Sequence, residues 1–332
     1  MANLVISDVC NLDCCYCFAR EYMQGVKESH APAFISLEDF EARLDLLDRL
    51  GIGEARLIGG EPTLHPHFSE LVTLARQRGK RIAVFSHGLL SVKALECLAA
   101  LPVEECSVLV NMNAVGRHPE SEQQRRREVL RQLGPRALLG YNIYRVDFDA
   151  SELPPLITEM GNRKAIRLGL AQPSLDGHNE CLHPKQYPLL GAKIVHLAQQ
   201  AHQAGISLEF DCGFVRCMFT EDEIESLHLA EMQTGWHCGP VPDIDLSGQA
   251  LHCFPLASRF GAQIGCIINW DGLIGALSAQ TRLYRMAGIY RECSSCRFKV
   301  SGECRGGCLA NTLLRFRQSS VQVSLTGRYF SL

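Results

Sequence analysis

Three cysteines, Cys10, Cys14 and Cys17, directly follow the apolar run Leu4-Val5-Ile6. Their spacing, C-x3-C-x2-C, puts three thiolates on one tight loop, one fewer than the four that normally hold a [4Fe–4S] cube. Three ligands leave one iron open, and an open metal position is where chemistry takes place. Gly59-Gly60-Glu61-Pro62 closes a second apolar stretch. A glycine pair lets backbone approach a ligand with no Cβ in the way. Glu61 could take up an amino group directly, or Pro62 could fix a turn whose carbonyls do so.

Together these residues resemble the signature of the radical S-adenosylmethionine (radical SAM) superfamily. That signature is C-x3-C-x-Φ-C with an aromatic Φ, here Tyr16, followed by a GGEP turn. The resemblance runs from about residue 3 to about residue 310. It implies that Cys10, Cys14 and Cys17 ligate a [4Fe–4S] cluster whose open iron chelates SAM. One electron then splits the sulfonium bond and yields a 5′-deoxyadenosyl radical, while the protein orients the cofactors and excludes water and oxygen. By the same resemblance Gly59, Gly60, Glu61 and Pro62 bind the methionine amino group, and backbone around Tyr16 lies near the adenine. Asn113, Asn142 and Arg167, on or near strand ends, are candidates for the ribose and carboxylate of SAM. Cys15 is off the ligand spacing and reads as a packing residue. His65 and His67 flank Pro66 and read as residues that start a helix.

A second cysteine region follows. Cys238 and Cys253 fit C-x9-G-x4-C with Gly248 at the glycine, and Cys293, Cys296, Cys304 and Cys308 are spaced C-x2-C-x7-C-x3-C. This is similar to the SPASM module, which carries two auxiliary [4Fe–4S] clusters. It departs in its x7 gap, where x5 is usual, and in having no cysteine after Cys308. Adding Cys212 and Cys217 gives eight ligands, enough for two cubes. The family pattern groups Cys308 with Cys238, Cys253 and Cys217, leaving Cys212 for the other cube. C-x2-C with C-x3-C also suits structural zinc, although the N-terminal motif and Gly248 in register favour iron–sulfur. Cys97, Cys106, Cys181 and Cys266 read as small apolar residues.

The elements that must position these residues alternate short apolar runs with amphipathic stretches, the pattern of repeated β-α units. Strands are predicted over 4–9, 55–58, 82–86, 107–112, 137–143, 165–170 and 206–211. The clearest helix opens at Ser36, with Asp39 in the capping-box place, and puts Leu37, Phe40, Leu44 and Leu47 on one face until Gly51 stops it. Further helices are predicted over 68–78, 92–100, 120–132, 152–160 and 187–204. Six strands each followed by helix, with a seventh leading onward, predict an α/β fold. It is a partial (β/α)6 TIM-like barrel over 1–211, with its reactive site at the C-terminal strand ends. Residues 212–310, short on helix periodicity and rich in Cys, Gly and Pro, are expected to form a small SPASM-type module organised by metal more than by a hydrophobic core. Residues 311–332, with only an alternation over 320–325, are left unassigned.

At 332 residues the chain can build a large barrel plus a smaller module. It has 46% hydrophobic and 21% charged residues and no apolar run long enough to span a bilayer. The start carries no signal-peptide pattern, and sixteen cysteines in a reducing compartment point to metal rather than disulfides. A cytoplasmic protein is expected. The net charge of −3 argues against a nucleic-acid partner, and Arg125-Arg126-Arg127 reads as a solvated helix face.

The resemblance implies an enzyme that takes a hydrogen atom from its substrate, most often a peptide or protein that is oxidised, crosslinked or excised. A small-molecule or sugar dehydrogenase or epimerase is the alternative, with Cys181 as a conceivable hydrogen donor. A non-catalytic iron–sulfur or zinc scaffold is the third reading. Flavodoxin or ferredoxin is expected as electron donor. The first strand begins within five residues of Met1, so a peptide substrate is expected either to be recognised by a separate protein or to carry no leader.

Overall fold

The computed structural model describes residues 1–29, 32–113, 119–232 and 234–325. Seven strands, β1 (Asn3–Ser7), β2 (Glu54–Gly59), β3 (Arg81–Ser86), β4 (Cys106–Asn111), β5 (Ala137–Ile143), β6 (Ala165–Leu170) and β7 (Ser207–Phe210), lie parallel in chain order. Helices fill every crossover: α1 (Arg20–Glu28) and α2 (Leu37–Arg49), then α3 (Phe68–Gln77), α4 (Val92–Ala99), α5 (Glu120–Leu133), α6 (Leu153–Met160) and α7 (Gly191–Gln203). This is the expected α/β partial barrel.

The period of two along each strand decides which side chains meet the helices. Leu4, Ile6, Leu57, Val84, Val110, Leu139 and Leu168 are buried in the main apolar core with Phe40, Leu71 and Ile194. The alternate set, including Ser7, Arg56, Phe85, Asn111 and Arg167, lines the other side. Ser36 caps α2 by accepting from the Asp39 amide at 3.0 Å, and Gly51 follows at φ +67°. Phe40, Leu44 and Leu47 are buried as the periodicity requires, whereas Leu37 is exposed on the first turn.

After β7 the chain departs from expectation. It forms α8 (Glu221–Leu229), a meander of β8 (Asp243–Ile244), β9 (Gln249–Leu251) and β10 (Gly261–Gln263), then α9 (Trp270–Ala287), α10 (Arg297–Val300) and α11 (Leu309–Leu325). The region thus holds an 18-residue helix and a 17-residue helix. In α9 only Leu273, Leu277 and Thr281 are buried, a stripe one residue wide that leaves weak periodicity in the sequence. Residues 320–325, read as an alternation, belong to α11.

β8 pairs in parallel with β1, so the meander extends the barrel sheet into one of ten strands, with β7 and β10 as its edges. Among the described residues, no helix is long and apolar enough to cross a membrane.

Candidate functional site

The loop carrying Cys10, Cys14 and Cys17 leaves the C-terminal end of β1, and all three thiols are half-buried. The Cys17 amide donates to the Cys14 carbonyl at 3.0 Å, and the Leu12 amide to Cys10 Sγ at 3.5 Å. Burial pushes the Cys10 thiol up to about 11, against the pull of the Leu12 amide, and also raises Cys17; each senses the other cysteines of the loop. Such thiols become thiolate ligands when a bound cation supplies the compensating charge. The loop is fixed from outside. Asn179 donates to the Tyr16 carbonyl at 3.2 Å, the Glu180 amide donates to the Cys15 carbonyl at 2.8 Å, and Arg20 donates to the Cys14 carbonyl at 3.0 Å. Tyr16 stacks on Tyr144 at 4.9 Å and accepts from Asn111 Nδ2 at 3.2 Å.

Gly59 and Gly60 are required by the packing of this loop. A Cβ on Gly59 would strike the Ser7 carbonyl oxygen, and one on Gly60 the Val9 carbonyl. Their smallness lets β2 close on the backbone leading into Cys10, where the amides of Gly60 and Glu61 donate to Ser7 and Val9 carbonyls at 2.8 Å.

Glu61 is fully buried, and its carboxylate is engaged throughout. Oε1 accepts from the Thr63 amide and hydroxyl, while Oε2 accepts from Ser86 Oγ and the His87 amide, both at 3.0 Å. His87 Nε2 lies 3.2 Å from Oε2. A carboxylate offers about four acceptor positions, so Glu61 ties β2 to β3 and leaves an amino group to the backbone of the turn. Pro62 opens the short 3-10 turn Pro62–Leu64 that Glu61 caps.

Asn113 also serves the scaffold. It donates to the Asn142 carbonyl and accepts from the Asn142 amide at 2.6 Å, joining the ends of β4 and β5. Arg167 lies inside the barrel, donating to Asp211 Oδ1 at 2.8 Å and covering the Phe85 ring. His65 starts α3 as expected: buried, its Nε2 is 2.9 Å from the Ile35 carbonyl and its Nδ1 accepts from the His67 amide at 3.1 Å.

Arg126 corrects the reading of the basic run. Arg127 is the solvated member, pairing with Glu159 at 3.0 Å, but Arg126 is 2% exposed. Its Nε and Nη1 lack hydrogen-bond partners, and Tyr16, Glu122, Cys14 and Glu61 lie within its electrostatic reach. A buried guanidinium with idle donors is costly unless an anion meets it. Arg125 is half-buried, donating to the Leu90 carbonyl at 3.1 Å, and Arg127 is exposed, so nothing in the charge run marked Arg126 out.

The C-terminal cysteines fall into two quartets. Cys308 donates to Cys238, which with the Arg285 guanidinium, 3.3 Å from Cys238 Sγ, holds the Cys238 thiol low. Cys212 and Cys253 are within electrostatic reach of that pair. Cys217 senses Cys304, Cys293 and Cys296 instead. This grouping differs from the one the family pattern implies: Cys212 lies nearer Cys238, Cys253 and Cys308, and Cys217 nearer Cys293, Cys296 and Cys304. The reason lies in the backbone. Gly213, at φ +97° and packed on the Gln172 amide, turns the chain, and a 3-10 turn over Arg216–Met218 sends Cys217 towards α10. There Arg216 covers the Phe298 ring at 4.9 Å. Gly248, at φ +84°, closes the turn from β8 to β9 that brings Cys253 back towards Cys238.

Among the described residues no side chains converge tightly enough to grip a single metal ion. A cube binds differently, spreading its thiolates over four corners, and two all-cysteine quartets supply the donors it takes. Cys97, Cys106 and Cys181 sit within the packed fold, while the Cys266 side chain lies outside the described residues.

Residues 4–132 match the family model described as "Radical SAM superfamily". Over 88 residues the chain is 33% identical to a GTP 3′,8-cyclase of Klebsiella pneumoniae, covering 26% of either chain. Over 111 residues it is 31% identical to that of Mannheimia succiniciproducens, covering 33% of this chain and 32% of the relative. The matched stretch thus spans about a quarter to a third of those relatives' length. Among solved structures, Streptococcus suis SuiB bound to precursor peptide SuiA superposes with TM-score 0.65 at 16% identity, over 93% of this chain and 72% of SuiB. SuiB bound to S-adenosylmethionine gives 0.63 at 15% identity, over 93% and 73%. That likeness is one of fold. The half-buried cysteine trio at the end of β1 and the glycine pair seated on its backbone both fall within residues 4–132, the stretch that matches the radical SAM superfamily model.

Proposed function

We propose that this radical SAM enzyme modifies a peptide and that its two C-terminal quartets hold auxiliary [4Fe–4S] clusters, as in a SPASM module. Cys10, Cys14 and Cys17 fit the SAM-binding cube, because they are near one another on a loop pinned from three sides. When bound, the cluster and SAM supply hydrogen-atom abstraction from carbon. The chain's own part is positional. The turn after Gly60 offers backbone to the amino group, Arg126 offers idle donors to the carboxylate, and the Tyr16 loop stands beside the adenine. Val5, Ala19, Ile58 and Phe254, with Cys17 and Phe85 against them, form an apolar patch that keeps water away.

The observation that carries the auxiliary clusters is the sorting of eight cysteines into two sets of four with none left over. Phe254 belongs to the patch beside Cys17 and follows Cys253, so the first quartet borders the same chamber. Cys212, Cys238, Cys253 and Cys308 would hold an auxiliary cluster there, which would supply an electron acceptor close to the substrate. A peptide substrate is supported by the fold shared with SuiB, which was solved with a precursor peptide. The second reading, a small-molecule substrate, is favoured by local similarity to GTP 3′,8-cyclases. The test is anaerobic incubation with SAM, a strong reductant and candidate peptides. Release of 5′-deoxyadenosine with a peptide two hydrogens lighter supports the proposal. Turnover of GTP with peptides left unchanged supports the second reading.

A further inference from the structure

A cavity of about 470 Å³ lies at the N-terminal ends of the barrel strands, beside Glu54, Arg81, Cys106 and Arg163, and extends inward to Arg56, Phe85 and Arg167. Two guanidiniums cover the one ring: the Arg56 Cζ is 5.0 Å and the Arg167 Cζ 5.4 Å from the Phe85 centroid. Phe85 also packs against the apolar patch that contains Cys17. Phe85 therefore stands between the cavity and the patch beside the cysteine loop.

Holding two like charges on one ring is unfavourable without an anion between them. Arg167 has Asp211 at 2.8 Å. Arg56 is less well served. It is 9% exposed, its Nη1 meets only Met1 Sδ, its Nε makes no hydrogen bond, and Glu54 stands 3.8 Å away, too far to donate to. Asp243 also faces Arg56 but is already committed to Asn3 at 2.6 Å and the Phe254 amide at 2.9 Å. Arg81 and Arg163 add positive charge to the cavity wall, and Glu54, Glu104 and Glu105 add negative.

Resting on the radical SAM enzyme reading above, we infer that Arg56 and Arg167 clamp a carboxylate of the substrate on the Phe85 ring, selecting an acidic residue or carboxyl terminus. Asp211 pairs with one of the two guanidiniums on the ring, and a single carboxylate would pair with the other. A triphosphate would bring several negative charges to a wall that already carries carboxylates. A planar fork also suits bidentate binding of a carboxylate.

The test uses anaerobically reconstituted holoenzyme and three probes in saturation-transfer NMR: N-acetyl-glutamate amide, N-acetyl-glutamine amide and GTP. The acid is expected to bind about tenfold or more tightly than the amide. Arg56→Gln and Arg167→Gln should each remove that preference, and Arg56→Lys, which keeps charge without the fork, should retain part of it. Equal binding or no binding of acid and amide, or a preference unchanged in both Gln variants, overturns the inference. GTP binding above the acid, lost in the same variants, also overturns it by assigning the clamp to a polyphosphate. The same preparation is assayed for 5′-deoxyadenosine. Its absence would strike the enzyme reading itself, whereas its presence with failed acid binding removes only the clamp.

Discussion

The cysteine loop at the end of β1 and the two C-terminal quartets use the same donor, yet different forces hold them. The loop is an appendage of the parallel sheet: glycines let β2 press on its backbone, Glu61 bolts β2 to β3, and side chains from distant segments grip its carbonyls. The quartets sit among a three-residue strand, 3-10 turns and a four-residue helix. Hydrogen bonds such as Arg285 to the Arg305 and Gly307 carbonyls, at 3.1 and 2.9 Å, add local order. The difference teaches that the first site is built by packing before any metal arrives, while the second region takes more of its order from the metal it is proposed to bind.

The largest expected effect separates the two regions outright. Cys14→Ala should reduce 5′-deoxyadenosine to background while auxiliary iron stays, from about twelve irons per chain to about eight. Chromatography of the nucleoside with an iron assay checks both. Retained SAM cleavage would break the assignment of the loop.

Next, the quartets can be told apart by pairing variants. Cys217→Ala should share its residual electron paramagnetic resonance spectrum with Cys296→Ala, and Cys212→Ala with Cys253→Ala. The opposite pairing would restore the partition expected from the family pattern.

The packing side of the comparison is tested by Gly60→Ala. Its methyl meets backbone that cannot yield cheaply, costing about 3 kcal/mol, or about 4 °C in melting temperature. Glu61→Gln should cost about 2 kcal/mol, because an amide nitrogen would face donors that a carboxylate oxygen now satisfies. Both losses should persist without iron. A loss seen only in the iron-loaded protein would mean that the turn acts through the cluster.

The smallest effect is a pH dependence. Burial lowers the proton affinity of His65, whose Nδ1 accepts from the His67 amide. The unfolded chain therefore binds a proton that the native state does not. Stability from this group is present above about pH 6.5 and is lost as pH falls below it. The melting temperature should fall less from pH 7.5 to 5.5 in His65→Gln than in the unmutated protein. An identical decline would remove His65 from the account.

Much of the barrel was legible because its strands are continuous apolar runs and its helices carry broad apolar faces. β5 and β6 have the bounds expected, and Ser36 caps α2 as its sequence announces. The metal motif was legible because spacing alone carries it. What stayed hidden was decided by tertiary neighbours. The duties of Gly59 and Glu61 depend on Ser7, Val9, Ser86 and His87, all far off in sequence or on the far side of a crossover. Arg126 reads like Arg127 until the fold buries one of them. The long helix α9 escaped notice because its buried stripe is narrow. The division between Cys212 and Cys217 hinges on one glycine turn that spacing does not reveal.

The pairing of β8 with β1 has a mechanical consequence. The strand that delivers Cys10 is also the seam to the C-terminal meander, joined by the Asn3 amide to the Pro242 carbonyl at 2.8 Å and by Asn3 to Asp243. Swinging the C-terminal region outward would unzip the same strand that steadies the cysteine trio. A substrate is therefore better admitted at the unclosed gap between β7 and β10, or from beneath the strands, than through a hinge at that seam. Reagents that lock β1 to β8 by crosslinking should leave access to the chamber intact.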